Sequence, residues 1–203
     1  MKYMKHVFDD FLTDDEYQAI YKKVTSASFT WVRANILLSS DDPKTFGNPH
    51  IGKVNEPAFY SDQKYNIQFV HNVHYSSLGY SDTKLILGPL APLFQKLQIN
   101  RKNLLRCKIN LNPYQGETHN FSGWHTDNDG AGRTAIYYLN TNNGFTTYQD
   151  GDKCSIVKSR ANRLFTFPTQ TRHSGVSQTD SQFRACINMN WTEHVDITRA
   201  NLV

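Results

Sequence analysis

Three residues in the second half of the sequence are of types that bind divalent transition metals. His125 and Asp127 lie two positions apart in Trp-His-Thr-Asp, and His173 follows further along the chain. In an extended segment, side chains at positions i and i+2 point to the same face, so His125 and Asp127 could both contact one bound ion. Two histidines and one carboxylate on one face of an octahedron leave the other positions open. The pattern therefore predicts a metal site in which the coordination positions not taken by these three residues are open to other ligands.

The His-x-Asp spacing alone is weak evidence, because chance produces it in many chains of this composition. The sequence has 8 histidines, and a second His-x-Asp pair occurs at His194 and Asp196. No histidine follows that second pair in the sequence. We interpret it as a solvated C-terminal segment.

His71 and His74 are a further candidate pair of ligands, within an alternating segment at residues 65–75 that predicts a strand. A spacing of three places two side chains on one face of a helix rather than of a strand. We therefore interpret both histidines as surface or core residues.

The length of 203 residues suits one domain, spanning residues 1–203, with enough interior for a hydrophobic core. The formal net charge is +4, but Lys and Arg are spread along the chain, with small groups at 101–108 and 158–163. A solvated surface explains this distribution better than an anionic partner does. The charge pattern thus argues against nucleic acid as a partner.

The 3 cysteines favour a reducing compartment. Cys107, Cys154 and Cys186 are far apart, odd in number and each in an apolar segment, which indicates buried reduced thiols and a cytoplasmic location. No apolar run approaches the length of about 20 residues that a membrane helix needs, and the N-terminus lacks a signal-peptide core. We expect a soluble protein that is not exported.

The order of predicted elements is helical first and strand-rich afterwards. Thr13 and Glu16 have capping-box spacing, which predicts a helix over residues 14–26. A strand at 29–38, a long loop at 39–57 and an amphipathic helix at 85–98, interrupted by Pro89 and Pro92, come next. Short strands are expected at 104–111, 124–126, 134–139, 146–148, 155–157, 163–167, 173–176 and 185–191. This order predicts an α+β, mainly β fold: a double-stranded β-helix, or jelly roll, with N-terminal supporting helices.

Further motifs accompany the first His-x-Asp pair in a recognisable order. They are Thr134-Ala135-Ile136-Tyr137-Tyr138-Leu139-Asn140, Arg163-Leu164-Phe165-Thr166-Phe167-Pro168, His173-Ser174-Gly175 and Arg184. The ordered set resembles the Fe(II)- and 2-oxoglutarate-dependent dioxygenases and, within them, the prolyl 4-hydroxylase-like group. The resemblance covers residues 104–191, and the capped helix after Phe11-Leu12 is similar to how members of that group begin.

The resemblance implies that His125, Asp127 and His173 bind Fe(II). It also implies that Arg184, eleven residues beyond His173, pairs with the distal carboxylate of 2-oxoglutarate. A guanidinium suits that role because it binds carboxylates bidentately and stays charged. Tyr138 matches a position whose hydroxyl binds the same carboxylate in relatives.

The implied activity is hydroxylation of an aliphatic C–H bond with Fe(II), 2-oxoglutarate and O2, and with ascorbate as a candidate reductant. Asp127 stands where halogenating relatives have a small residue, which favours hydroxylation. The substrate that the resemblance implies is a prolyl-containing peptide or protein. A free amino acid or another small molecule is the alternative.

The sequence departs from the family pattern on the strand before His125. Relatives often have a tyrosine where Asn112 stands here, and Tyr114 follows two places on. Either residue is a candidate for contact with the cosubstrate. The turn at 143–147 has one glycine, where two are frequent in the family.

Two functions from other classes compete with the hydroxylase. A jelly roll can bind a sugar or peptide without turnover, since fold does not fix function. A nucleobase demethylase on the same core would need a basic groove for phosphates, and the scattered charge argues against one. A pure binding module has no need of three metal ligands and an arginine at family spacing.

Overall fold

The protein is described from a computed structural model that covers residues 5–34, 67–127 and 130–192. Within these residues, two antiparallel sheets pack face to face, and helices cover the outer face of the larger sheet. The strands are His6–Phe8 (β1), Val32–Ala34 (β2), Gln68–Tyr75 (β3), Tyr80–Ser81 (β4), Leu104–Pro113 (β5), Arg133–Tyr138 (β6), Phe145–Asp150 (β7), Lys153–Lys158 (β8), Arg163–Pro168 (β9), His173–Val176 (β10) and Phe183–Trp191 (β11).

The strand order defines the jelly-roll arrangement. The larger sheet runs β1-β9-β6-β11-β5-β3-β2, with β4 paired to β3, and the smaller sheet runs β10-β7-β8. The prediction of a mainly β jelly roll with supporting helices is confirmed. The predicted strand at 124–126 is wrong in extent, because the structure has a single bridge there, between His125 and His173.

Alternation along the central strands gives the larger sheet two different faces. On β11, Ala185, Ile187 and Met189 pack with the helices in one hydrophobic cluster. Their neighbours Arg184 and Cys186 point toward the smaller sheet, where a second cluster joins the two sheets. The sheet therefore has an apolar outer face and a partly polar inner face.

The first helix, Asp14–Val24 (α1), begins as the capping-box spacing predicts. The Thr13 hydroxyl accepts a hydrogen bond from the Glu16 amide at 3.4 Å, and the Glu16 carboxylate accepts one from the Thr13 amide at 2.9 Å. Two side-chain hydroxyls bond to carbonyls of the last turn, from Thr25 to Tyr21 at 2.7 Å and from Ser26 to Lys23 at 2.9 Å. The helix ends at Val24, two residues before the predicted limit at residue 26.

The predicted helix at 85–98 is wrong in extent, since the structure has two short helices there, Thr83–Leu87 (α2) and Ala91–Lys96 (α3). Pro89 and Pro92 explain the break, because proline lacks the amide that a continuous helix needs and clashes with the preceding turn. Asp82 caps the first piece by accepting from the Leu85 amide at 3.1 Å. None of the helices in the described ranges is long and apolar enough to cross a membrane. The loop predicted at 39–57 lies outside the described residues.

Hydrogen bonds of the Asn162 side chain connect the segment before α1 to the larger sheet. This buried residue has a left-handed backbone, with φ of 61°. Its side-chain oxygen accepts from the Leu12 amide at 2.9 Å and from the Tyr137 hydroxyl at 2.8 Å, and its amide donates to the Leu12 carbonyl at 2.8 Å. Three buried polar groups therefore depend on one side chain.

Replacing Asn162 by alanine is expected to lower the free energy of unfolding by about 3 kcal/mol, because it leaves buried donors and acceptors unpaired. Urea denaturation measures this loss. Asn162→Gly is the matched control for backbone conformation, since glycine adopts positive φ freely. A loss in Asn162→Ala that Asn162→Gly restores would show that backbone strain, not the hydrogen bonds, is the cause.

Candidate metal centre and cosubstrate cavity

Backbone pairing places His125 beside His173. The His125 amide donates to the His173 carbonyl at 3.0 Å, and the His173 amide donates back to the His125 carbonyl at 2.9 Å. The two imidazole rings lie 4.4 Å apart between centroids. Asp127 joins them, and one ligand-type atom from each of the three residues lies within 4.8 Å of the others. The structure thus brings together the three residues that the sequence singled out.

A hydrogen bond between Nδ1 and a backbone carbonyl orients each imidazole ring. Nδ1 of His125 lies 2.8 Å from the Gly123 carbonyl, and Nδ1 of His173 lies 3.0 Å from the Thr171 carbonyl. A carbonyl only accepts, so Nδ1 carries the proton in each ring and Nε2 keeps its lone pair. This is how metal-binding histidines are commonly held.

The carboxylate of Asp127 is held from both sides. Arg106 donates to Oδ1 at 2.6 Å, while the Thr134 hydroxyl at 2.8 Å and the Asn190 amide at 3.0 Å donate to Oδ2. Burial raises the pKa of this carboxyl, but His173, Arg106 and His125 outweigh it and set the pKa to about 2. Asp127 is therefore ionised across the physiological range, as a metal ligand must be.

The donor set fits a divalent transition metal. Nε2 of His173 is buried, has no hydrogen-bond partner among the described residues, and lies 3.7 Å from Oδ2 of Asp127. Burial, followed by the neighbouring His173, lowers the pKa of His125 to about 4, so its imidazole is neutral at pH 7. Two imidazoles and one carboxylate match the facial triad of non-haem Fe(II) oxygenases. A buried acceptor without a partner is costly, and a metal ion would satisfy it.

A cavity of about 180 Å³ adjoins the three residues. Its described lining contains three cationic side chains, Arg106, Lys108 and Arg184, and a single carboxylate, that of Asp127. Asn112 also lines the cavity, whereas Tyr114 is about half exposed and bonds to Glu117 at 3.4 Å. Of these two candidates, Asn112 is the one at the cavity.

Arg184 lies on β11 and is buried in the cavity wall, next to Thr146 on β7. It donates to the hydroxyls of Ser159 at 2.8 Å and Thr146 at 3.2 Å, and it forms no ion pair with any residue that the structure describes. Hydroxyls orient the guanidinium without neutralising it, so its charge remains available for an anion. A side chain at Gly144 would collide with Arg184, since a Cβ there would lie 2.8 Å from its Cδ.

Tyr138 lies behind Arg184 and lines none of the cavity in the described part of the chain. Its hydroxyl donates to Thr146 at 2.8 Å, and its ring lies 5.4 Å from the guanidinium carbon of Arg184. Tyr137 points to the opposite face, where its hydroxyl bonds to Asn162. Direct contact between Tyr138 and a cosubstrate stays a prediction, and of these two bonded hydroxyls the one that lines the cavity belongs to Thr146.

Other candidate histidines have structural partners. Nδ1 of His71 lies 2.8 Å from the Thr30 carbonyl, and His74 lies between the Ser81 hydroxyl at 2.6 Å and the Leu104 carbonyl at 3.0 Å. Their interpretation as surface or core residues agrees with these contacts. His194 and Asp196 lie outside the described residues.

Solved structures with this architecture include several 2-oxoglutarate and Fe(II) oxygenases. A prolyl hydroxylase from Trichoplax adhaerens, in complex with a hypoxia inducible factor peptide fragment, is 15% identical, with a TM-score of 0.58 over 98% of this chain and 87% of that chain. A Pseudomonas putida prolyl-4-hydroxylase is 16% identical, with a TM-score of 0.55 over 95% and 94%. The epimerase SnoN, in complex with Fe3+, alpha ketoglutarate and nogalamycin RO, is 16% identical, with a TM-score of 0.52 over 93% and 78%.

The chain therefore has the fold of the 2-oxoglutarate and Fe(II) oxygenases, and the resemblance inferred from its motifs is confirmed at the level of fold. Prolyl hydroxylases are among the structures that share this fold. No family model matches the chain, and no curated protein matches it.

Proposed function

We propose that this chain is an Fe(II)- and 2-oxoglutarate-dependent oxygenase that hydroxylates an aliphatic C–H bond. The observation that carries the proposal is the convergence of His125, Asp127 and His173 beside a cavity that also contains Arg184, which no described residue neutralises. A metal triad suits iron, and a buried guanidinium suits the far carboxylate of 2-oxoglutarate. Solved structures of the same fold include one in complex with Fe3+ and alpha ketoglutarate.

In this proposal, His125, Asp127 and His173 hold the iron, and Arg184 holds the distal carboxylate of 2-oxoglutarate. When bound, the iron supplies O2 activation, coupled to conversion of 2-oxoglutarate to succinate and CO2 and to hydroxylation of the substrate. Arg106, Thr134 and Asn190 fix the carboxylate of Asp127, and the backbone carbonyls fix both rings. The chain thus contributes ligands, orientation and a partly buried cavity.

Two substrate classes follow from the fold and the cavity. The Trichoplax adhaerens structure contains a peptide, which supports a prolyl-containing peptide as the substrate. SnoN contains nogalamycin RO, and the cationic lining of this cavity favours a small acidic molecule as the second candidate. The three free cysteines support the proposed cytoplasmic location.

Succinate formation tests the proposed activity. Purified protein is incubated in air with Fe(II), 2-oxoglutarate and a screen of prolyl peptides and small acids, and succinate is measured with and without each compound. We expect stimulated succinate release that requires both Fe(II) and O2. Binding of a ligand without any succinate, in the presence of all three components, would instead identify a binding module without turnover.

A further inference from the structure

Lys108 points into the cavity from the middle of β5. It pairs in register with Asn188 on β11 and with Asn72 on β3, so its strand neighbours at that level are neutral. Residues 106, 108, 110 and 112 share the inner face of β5 and all line the cavity. Lys108 is therefore part of the cavity wall and not of the outer surface.

The cavity lining places more positive than negative side chains around Lys108. Arg106 is neutralised by Asp127 at 2.6 Å. The ammonium of Lys108 has no hydrogen-bond or ion-pair partner in residues 5–34, 67–127 and 130–192. Burial, followed by the neighbouring Arg106, lowers the pKa of Lys108. A partly desolvated cation that has no direct ion pair among the described residues is costly, and a bound anion would relieve that cost.

The cosubstrate of the proposed function does not account for this cation. Its distal carboxylate is assigned to Arg184, which pairs in register with Asn112. Its other carboxylate lies beside the metal in the proposed function, so both carboxylates of 2-oxoglutarate already have an assigned partner. Lys108 is thus left for a different anionic group.

We propose that Lys108 binds a carboxylate of the substrate, which makes the substrate a carboxylic acid rather than a neutral molecule. This inference rests on the proposed function and specifies its substrate class. A free amino acid and the C-terminus of a short peptide present the same group to an ammonium. The aliphatic carbon to be hydroxylated then lies within a short distance of that carboxylate, because Arg106 links the same strand to the metal ligand Asp127.

The test compares acids with their neutral amides. The probes are the common L-amino acids and prolyl dipeptides, each beside its primary amide, titrated by calorimetry into metal-free protein. We expect wild type to bind at least one acid about 10- to 100-fold more tightly than its amide, as a hydrogen bond to a charged group provides. Lys108→Met is expected to abolish that preference, and Lys108→Arg to retain it.

Lys153→Met is the matched control, because Lys153 is exposed and its loss changes the net charge equally. Equal binding of acids and amides by wild type, or an acid preference that survives in Lys108→Met, would overturn the subsite. Preference for a free amino acid or for a dipeptide identifies which molecule supplies the carboxylate, and both support the subsite.

The dissociation constant of 2-oxoglutarate shows whether Lys108 binds the substrate carboxylate or the cosubstrate. We expect Lys108→Met to change the 2-oxoglutarate dissociation constant by less than about threefold, since Arg184 is unaltered. A loss equal to that seen with the acids would assign Lys108 to the cosubstrate and contradict the inference. Absence of succinate from wild type with Fe(II) would refute the proposed function alone, because the acid preference is measured without metal.

Discussion

Asp127→Ala is expected to abolish Fe(II) binding and succinate formation, because it removes the single carboxylate from the described cavity lining and from the metal triad. Loss of one of three ligands from a facial triad leaves two imidazoles, which hold Fe(II) far more weakly. Competition with a chromophoric chelator, under nitrogen, measures the Fe(II) dissociation constant directly.

The same substitution is expected to destabilise the metal-free protein by about 3–5 kcal/mol, since Arg106 would lose its buried partner. The Thr134 hydroxyl and the Asn190 amide would also lose an acceptor. Asp152→Ala is the matched control, because Asp152 is exposed on the β7–β8 turn. Iron affinity retained in Asp127→Ala, with the fold intact by circular dichroism, would remove Asp127 from the site.

Arg184→Met is expected to weaken 2-oxoglutarate binding by about 30- to 1,000-fold, the cost of removing one partner of a buried charge pair. Iron binding is expected to persist, because Arg184 bonds to Ser159 and Thr146 rather than to any of the three ligands. Calorimetric titration of the Fe(II)-loaded variant with 2-oxoglutarate, without O2, measures this effect.

Arg101→Met is the control for charge, since Arg101 is exposed. Thr146→Val tests the orientation of the guanidinium, because it removes the hydroxyl that accepts from Arg184 and from Tyr138. Normal 2-oxoglutarate affinity in Arg184→Met would place the carboxylate anchor elsewhere in the cavity.

The metal triad was predictable because its residue types are chemically specific and its two nearest members share one face of an extended segment. The fold class was predictable from the order of motifs and from the order of elements, helical first and strand-rich afterwards. The start of α1 followed from Thr13 and Glu16, whose capping contacts are local in sequence.

The hydrogen bonds that hold the Asp127 carboxylate could not be predicted, because they depend on strand register. Arg106, Thr134 and Asn190 come from three different strands, and pairing of β11 with β5 and β6 brings them to Asp127. A register shift of one residue would turn each of them to the opposite face. Lys108 is an ordinary charge in the sequence, and its place in the cavity appears only once β5 is paired on both sides.

Anaerobic titration with Fe(II) and 2-oxoglutarate tests the central claim most directly. Metal-free wild type, mixed with both components under nitrogen, is expected to develop a visible charge-transfer band that saturates at one equivalent of each. Admission of O2 is expected to bleach the band and yield succinate. Absence of the band in wild type, or an unchanged band in His173→Ala, would contradict the assignment of His125, Asp127 and His173 as the iron site.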